Sequence, residues 1–482
     1  MASSNSEPFF LSPIDNMMPM TAIPALLFFP IKAKDIGRAI KAFFDGLQAT
    51  LQTIPLLTGT ISAVSDGTQQ GTLAITSPWR KAEDLFTVKD FRRNNKYSYS
   101  ELKKKGFPPS AFPVWDFTSL EFIVNSNSPV MFVQATLIQG GLVLAPGIHH
   151  CFVDGTGHAT ILRLWAAFCR GERVKQENFS DQLRREPLLA DLPTLSLEEF
   201  PEYTYLRKPV PVKQRPRNKH PSQITLPQSR GFFSILNQRA KDACYRVSTK
   251  FKILGIRLIL KYQSSRVSTR LLHFPSSSLT RLKTSVAQRC IEPDAMTWTS
   301  TMDALSSLIF CCVTDSRDST KLNPKSEKSD GYWEALIGRL SGIFQRPTTS
   351  SPLVSARMTT IMNARKMCQP SIPAEFLGNV LLWPQIQSHR RELTSSMEHV
   401  SNQARKLRGK IREVDSQSLK RTLGALRSAP DVSRVTMISA LFRDGDLTIS
   451  SWREQDTCFL DWAPTLVYVA IECEYVQPSW TA

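Results

Sequence analysis

The chain has 482 residues, 41% of them hydrophobic, and a formal charge of +18, enough for a large core and an expected two or three domains. The charge is local: sixteen Lys/Arg face one acid, Asp242, between Leu206 and Arg270, so that window holds a net +15. Nine scattered cysteines without a CxxC pair point to reduced thiols and an intracellular setting, and the missing Gly-x-x-x-x-Gly-Lys and Gly-x-Gly-x-x-Gly patterns argue against nucleotide-driven chemistry.

The start, MASSNSEPFF, lacks a basic region followed by an apolar one, so no secretory signal and a cytoplasmic setting are expected. The apolar run Met17 to Ile31 is too short to span a bilayer and holds Pro19, Pro24 and Pro30, which predicts a buried extended segment. Ile40, Phe43, Phe44, Leu47 and Leu51 recur at helical spacing, and a strand is expected from Gly59-Thr60-Ile61. Residues 129 to 150 read as a hairpin. Val130, Phe132, Gln134, Thr136 and Ile138 form one face and Gly140-Gly141 the turn. Ile161, Leu164, Trp165 and Phe168 then mark a helix ending near Gly171.

Residues 172 to 233 lose periodicity, and Pro209, Pro211, Pro216 and Pro221 forbid a regular helix there. This reads as a crossover between an N-terminal unit, 1–171, and a C-terminal one, 234–482. Residues 234 to 263 mix Leu/Ile with Lys/Arg on a helical pattern. Further on, Leu279 and Leu282 mark an amphipathic stretch. Asp294 to Ile309 reads as a helix carrying a Ser300-x-x-Asp303 start signal, and Asp315 to Pro352 as a polar insertion. No short repeat is present, which argues against a solenoid. The fold class expected is α/β or α+β in two lobes.

The richest stretch for chemistry is His149-His150-Cys151-Phe152-Val153-Asp154-Gly155-Thr156-Gly157-His158, between the hairpin and the helix. An imidazole titrates near neutrality and can take a proton from an alcohol and return it to a leaving group. A carboxylate four residues on can hold the ring or brace the loop, and Gly155 and Gly157 suit a turn. Two other readings stay open on the residues themselves. His149, His150, Asp154 and His158 fit a metal-binding helical face, although the glycines argue against one helix spanning all four and no metal is expected. The pair also fits a buried structural network. No Gly-x-Ser-x-Gly elbow supplies a nucleophile, and Cys151 points away from His150 in an extended segment.

His149 to Gly155 resembles the HHxxxDG signature of CoA-dependent acyltransferases of the BAHD type, in particular a fungal branch similar to the trichothecene O-acetyltransferases. Further segments follow the family's order. Leu11-Ser12-Pro13-Ile14-Asp15 resembles LSPxD, and Leu56 to Ile61 the PLxGR strand start. Gln134 to Gly141 is similar to the hairpin before the motif, and Ser300 to Leu305 to STNDAL. Asn363-Ala364-Arg365 resembles NxR, Phe376-Leu377-Gly378-Asn379 resembles YFGN, and Ser450-Ser451-Trp452 resembles TSW. Asp461-Trp462-Ala463-Pro464-Thr465 stands where the family has DFGWG, with both glycines replaced.

The resemblance implies two similar chloramphenicol-acetyltransferase-like lobes around a solvent channel. It implies transfer of an acyl group, acetyl above all, from acyl-CoA to a hydroxyl of a small secondary metabolite, with acetyl-CoA as co-substrate and no bound cofactor. His150 would be the general base without an acyl-enzyme. Asp154 would brace the loop through Arg365, and Ser450 would donate to the oxyanion. Gly155, Asn363, Trp452 and Asp461 fall into binding or structural roles. His149 should face away from His150. Two alternatives are a condensation-type enzyme using carrier-protein thioesters and an inactive, membrane-associated binding relative. The basic 206–270 segment reads as donor steering, as weak membrane contact through 234–263, or as a solvated crossover. No nucleic-acid module surrounds it, and a monomer is expected.

Overall fold

The computed structural model describes residues 7–64, 69–77, 79–93, 97–118, 128–174, 179–206, 271–289, 298–322, 354–368, 372–437, 446–455, 457 and 460–462. The expected hairpin forms the middle of a five-stranded sheet. Met131–Ile138 pairs antiparallel with Gly141–His149, and Gln139-Gly140 makes the two-residue turn. Gly140 has φ +75, a left-handed conformation that glycine adopts without a Cβ penalty. The Met17–Ile31 run is extended: Ala22–Pro24 and Leu27–Pro30 both pair with Gly141–His149. Phe86–Asp90 lies parallel to Met131–Ile138.

Every residue of the two hairpin strands is buried, because this sheet is covered on both sides. Alternate side chains divide between two clusters. Leu137, Leu142 and Leu144 join the main core, whereas Ile138 and Val143 meet an aromatic group of Phe28, Tyr97, Phe107, Phe112 and Phe117. The Ile36–Thr53 helix buries Phe43, Leu47 and Leu51. It packs on the Gly155–Cys169 helix, where Trp165 Nε1 donates to the Phe43 carbonyl at 2.9 Å.

In the second half, Ser355–Thr360 lies between Gln385–His389, antiparallel, and Leu447–Ile449, parallel. Helices Ser276–Gln288, Thr301–Leu322 and Met397–Arg412 pack together beside it around Val286, Phe310, Met358, Val400 and Leu407. The Ser300–Asp303 signal is a working capping box: Ser300 N donates to Asp303 Oδ2 at 2.6 Å and Asp303 N to Ser300 Oγ at 3.1 Å. It starts the helix at Thr301 rather than Asp294, and the helix continues to Leu322, beyond the expected end at Ile309. The polar residues past Ile309 continue it because they find partners across the fold. Arg317 donates to the Asp446 carbonyl at 3.5 Å, and Asp318 pairs with Arg390.

The described part of the 172–233 crossover is structured. It holds helices Phe179–Leu183 and Glu186–Leu189 and a strand, Tyr203–Tyr205, antiparallel to Val435–Met437. Such short pieces leave no detectable period. The stretches 207–233 and 234–263 lie outside the described residues. Among the described residues no helix is long and apolar enough to cross a membrane.

The main core takes side chains from both halves of the chain. Trp462 shows this most directly. It is fully buried with its ring 5.9, 5.8 and 5.3 Å from Phe29, Phe43 and Trp165, edge to face in each case. Trp462→Ala is expected to cost about 3–5 kcal/mol of unfolding free energy. Urea titration measures this, and a loss below about 1 kcal/mol would show that the ring is not a core plug.

Candidate active site

The motif strand ends at His149 and the motif helix begins at Gly155, so residues 150–154 make the turn between them. Alternation along the strand sends His149 into the protein interior, where its Nδ1 accepts from the Cys151 amide at 3.3 Å. His150 stays partly open to solvent. Its Nδ1 is buried, and the carbonyls of His150 itself and Val153 lie against the ring. Neither motif glycine has positive φ. A Cβ at Gly157 would press on Val153 at 3.0 Å, whereas one at Gly155 would meet Trp452 at an ordinary 3.5 Å. Space under the helix start, not backbone torsion, is what Gly157 provides.

Asp154 is the N-cap of the motif helix and accepts from Gly157 N at 3.0 Å, as a carboxylate at a helix start does favourably. Its two oxygens also take Arg365 Nη1 and Nη2 at 2.7 and 2.9 Å and Val380 N at 3.1 Å. Both partners of this bidentate pair are almost wholly buried. Arg365 Nη2 reaches on to the Phe376 and Gly378 carbonyls at 2.8 and 2.7 Å. Asn363 accepts from Arg365 Nη1 at 3.1 Å and donates to Thr156 Oγ1 at 3.1 Å. The structure thus brings Asp154, Arg365, Asn363 and the helix start into one polar cluster.

A second buried ion pair lies beside the first. Arg185 Nε is 3.2 Å from Asp15 Oδ2, with 4% and 0% of the side chains exposed. The Arg185 guanidinium lies against the rings of Phe9, Phe152 and Phe376 and donates to the Phe152 and Leu377 carbonyls at 3.2 and 3.3 Å. Asp15 Oδ1 accepts from the backbone and side-chain nitrogens of Asn379 at 2.9 and 2.8 Å. Asn379 Nδ2 in turn donates to the His150 carbonyl at 2.9 Å. Because both contacts of that nitrogen are acceptors, the amide must present its NH2 here. Residues 376–380 are therefore held like a strap, Arg365 and Asp154 on one side and Arg185 and Asp15 on the other. Arg185 carried no signal in the sequence, since it sits in the aperiodic crossover.

Three histidines converge near the turn. Burial, with a smaller contribution from His150, pushes His149 down to about 3. Burial likewise brings His158 down to about 4, against the Ile23 backbone, which favours its protonated form. Burial also lowers His150, opposed by the carbonyls of His150 itself and Val153 and by Asp154 and Asp15. All three are neutral at pH 7, the state in which an imidazole accepts a proton.

A neutral buried imidazole also makes stability depend on pH. Below about 6.5 the unfolded histidines bind protons that the folded ones refuse, so stability present above that value is lost as pH falls. His149 and His158 are each expected to contribute about 1.4 kcal/mol of loss per pH unit between about 6 and 4. Urea midpoints at pH 7, 6 and 5 measure the slope, and His158→Phe should flatten it. An unchanged slope in that variant would refute a neutral buried His158.

The remaining candidates are placed as follows. Ser450 follows the Leu447–Ile449 strand and is exposed, and no hydrogen bond joins it to the motif among the described residues. Trp452 lies edge-on to His158, ring centroids 6.1 Å apart, and covers Gly155. Gln455 donates to Thr156 Oγ1 at 3.3 Å and accepts from Arg163 through its carbonyl at 3.2 Å, which ties the segment after Trp452 to the motif helix. Asp461 is exposed and its carbonyl accepts from Arg170. Among the described residues no group of three His, Cys, Asp or Glu is arranged to hold a metal ion.

Residues 23–169 match the family model described as the trichothecene 3-O-acetyltransferase-like N-terminal domain. The chain is 24% identical over 370 residues to acyltransferase M4 from a Phoma species, covering 74% of this chain and 62% of that protein. It is 23% identical over 462 residues to eremophilane O-acetyltransferase prx11 from Penicillium rubens, covering 94% and 86%. To the trichothecene 8-O-acetyltransferase of Fusarium sporotrichioides it is 29% identical over 191 residues, 37% of each. In structure it is similar to TRI101 of F. graminearum complexed with coenzyme A and deoxynivalenol, with a TM-score of 0.64 at 15% identity over 97% of this chain and 90% of that one.

Proposed function

We propose that the chain is a CoA-dependent acyltransferase of BAHD type, on the fungal branch similar to the trichothecene O-acetyltransferases, and that it moves an acetyl group from acetyl-CoA to a hydroxyl of a small secondary metabolite; the family model over residues 23–169 and the similar O-acetyltransferases support this reading. Relatives named O-acetyltransferases and a neighbour solved with coenzyme A and a small toxin support donor and acceptor class. The observation that supports the mechanism is His150, partly open to solvent while the turn that carries it is held by two buried ion pairs.

His150 Nε2 takes the proton of the acceptor hydroxyl as the oxygen attacks the thioester carbonyl. The tetrahedral intermediate collapses with cleavage of the carbon–sulfur bond. The imidazolium returns its proton to the departing CoA sulfur, so charge and atoms balance and no acyl-enzyme forms. Ser450 is the oxyanion donor in this reading, and such a donor is commonly worth about 3 kcal/mol. Asp154 takes no part in the proton transfer and acts through Arg365 on the turn. Donor and acceptor held together supply the proximity part of the rate.

Purified protein, acetyl-CoA and probe alcohols such as deoxynivalenol, with thiol release as readout, test this. Alcohol-dependent thiol release with no acetylation of the protein by intact mass is the expected result. A folded protein that does not bind acetyl-CoA in calorimetry, or that becomes acetylated in the absence of alcohol, would overturn it.

A further inference from the structure

The His150 ring has no side-chain partner to aim it. Its Nδ1 is buried, the backbone carbonyls of His150 itself and Val153 lie against the ring, and both Asp154 oxygens are occupied by Arg365, Gly157 N and Val380 N. The direction of the imidazole must therefore come from the backbone that carries it. That backbone is held at two points. The His150 amide donates to the Thr21 carbonyl at 2.8 Å, a continuation of the pairing between Ala22–Pro24 and the motif strand. The His150 carbonyl accepts from Asn379 Nδ2 at 2.9 Å.

The second contact differs in kind, because one side chain makes it. The same Nδ2 is aimed by Asp15 Oδ1 at 2.8 Å, and Asp15 is fixed by Arg185. Asn379 keeps this arrangement although its own Oδ1 is buried without a partner. Such an orphaned acceptor is unfavourable and marks a side chain held in place by its donor contacts. We propose that Asn379, oriented by the buried Asp15–Arg185 pair, is a positioning residue that sets the direction of the His150 ring. Releasing the carbonyl frees the peptide after His150 to rotate and lets the ring swing away from the acceptor.

The inference rests on His150 as the base, so one readout is chosen that needs no turnover. Imidazole nitrogen NMR across about pH 4–9 follows the chain's seven histidines, with His150→Ala assigning the His150 signal. The charged and titrating groups around that ring are Asp15, Asp154, His149 and His158. In Asn379→Ala, the His150 titration is expected to rise by at least about half a unit as the ring gains water, with His149 and His158 unmoved. In thiol release with acetyl-CoA and deoxynivalenol, kcat should fall about 10- to 100-fold while KM for acetyl-CoA stays within about threefold. Arg185→Met should act in the same direction, and the double variant should be no worse than the stronger single one, because both work through one contact.

A folded Asn379→Ala protein with an unmoved His150 titration overturns the proposal, as do effects of the two variants that add independently. If Arg185→Met does not fold, Asn379→Ala decides. A wild-type protein that neither binds acetyl-CoA nor releases thiol sinks the acyl-transfer reading instead, and the NMR comparison still tests the aim of the ring.

Discussion

His150→Ala is expected to lower acyl transfer by roughly 10²- to 10⁴-fold, the usual contribution of a positioned general base, while leaving the fold intact. The side chain is partly open and its ring contacts only backbone carbonyls, those of His150 itself and Val153, so little packing is lost with it. The turn keeps its two buried ion pairs and its backbone contacts to Thr21 and Asn379. Loss of thiol release with an unchanged urea midpoint is the result expected. Full activity in a folded variant would remove His150 from the mechanism. The lowered proton affinity of His150 adds that the acid limb of kcat/KM should fall below the ordinary histidine value of about 6.5.

Arg365→Met should be strongly destabilising, on the scale expected for Trp462→Ala. It leaves the Asp154 carboxylate buried with only the Gly157 and Val380 amides and strips the Phe376 and Gly378 carbonyls of their donor. Removing one partner of a buried pair typically costs about 3–5 kcal/mol, because the uncompensated charge stays behind. Asp154→Asn combined with Arg365→Met should recover part of that loss, since the charge is gone while the helix cap survives. A single variant as stable as the wild type in urea would show that the pair does not hold the strap. Equal destabilisation in single and double variants would place the loss on the strap carbonyls rather than on Asp154.

These two substitutions also mark where sequence reading succeeds and stops. The hairpin was legible because Gly140 sits in the turn between strands whose partners are neighbours in the chain, although the turn is Gln139-Gly140, one residue before the expected Gly140-Gly141. The motif helix was legible from Ile161, Leu164 and Trp165, and the later helix start from the Ser300–Asp303 box, each within a few residues. The end of that helix was not: Arg317 and Asp318 look like loop residues until Asp446 and Arg390 stand opposite them. Trp462 could be noted as an aromatic in an altered segment, but its neighbours Phe29, Phe43 and Trp165 lie hundreds of residues earlier.

By itself the sequence determined the turn, its histidine and the helix that follows, since strand alternation, helical period and capping act over a few residues. It also carried, through motif resemblance, the pairing of Asp154 with Arg365. Only the tertiary structure decided what stands behind His150. Arg185 comes from an aperiodic stretch and meets an aspartate 170 residues away, and that aspartate meets Asn379 across 364 residues. Contacts of that span leave no trace in local pattern, because they are selected by burial and complementary charge after the chain has folded back on itself.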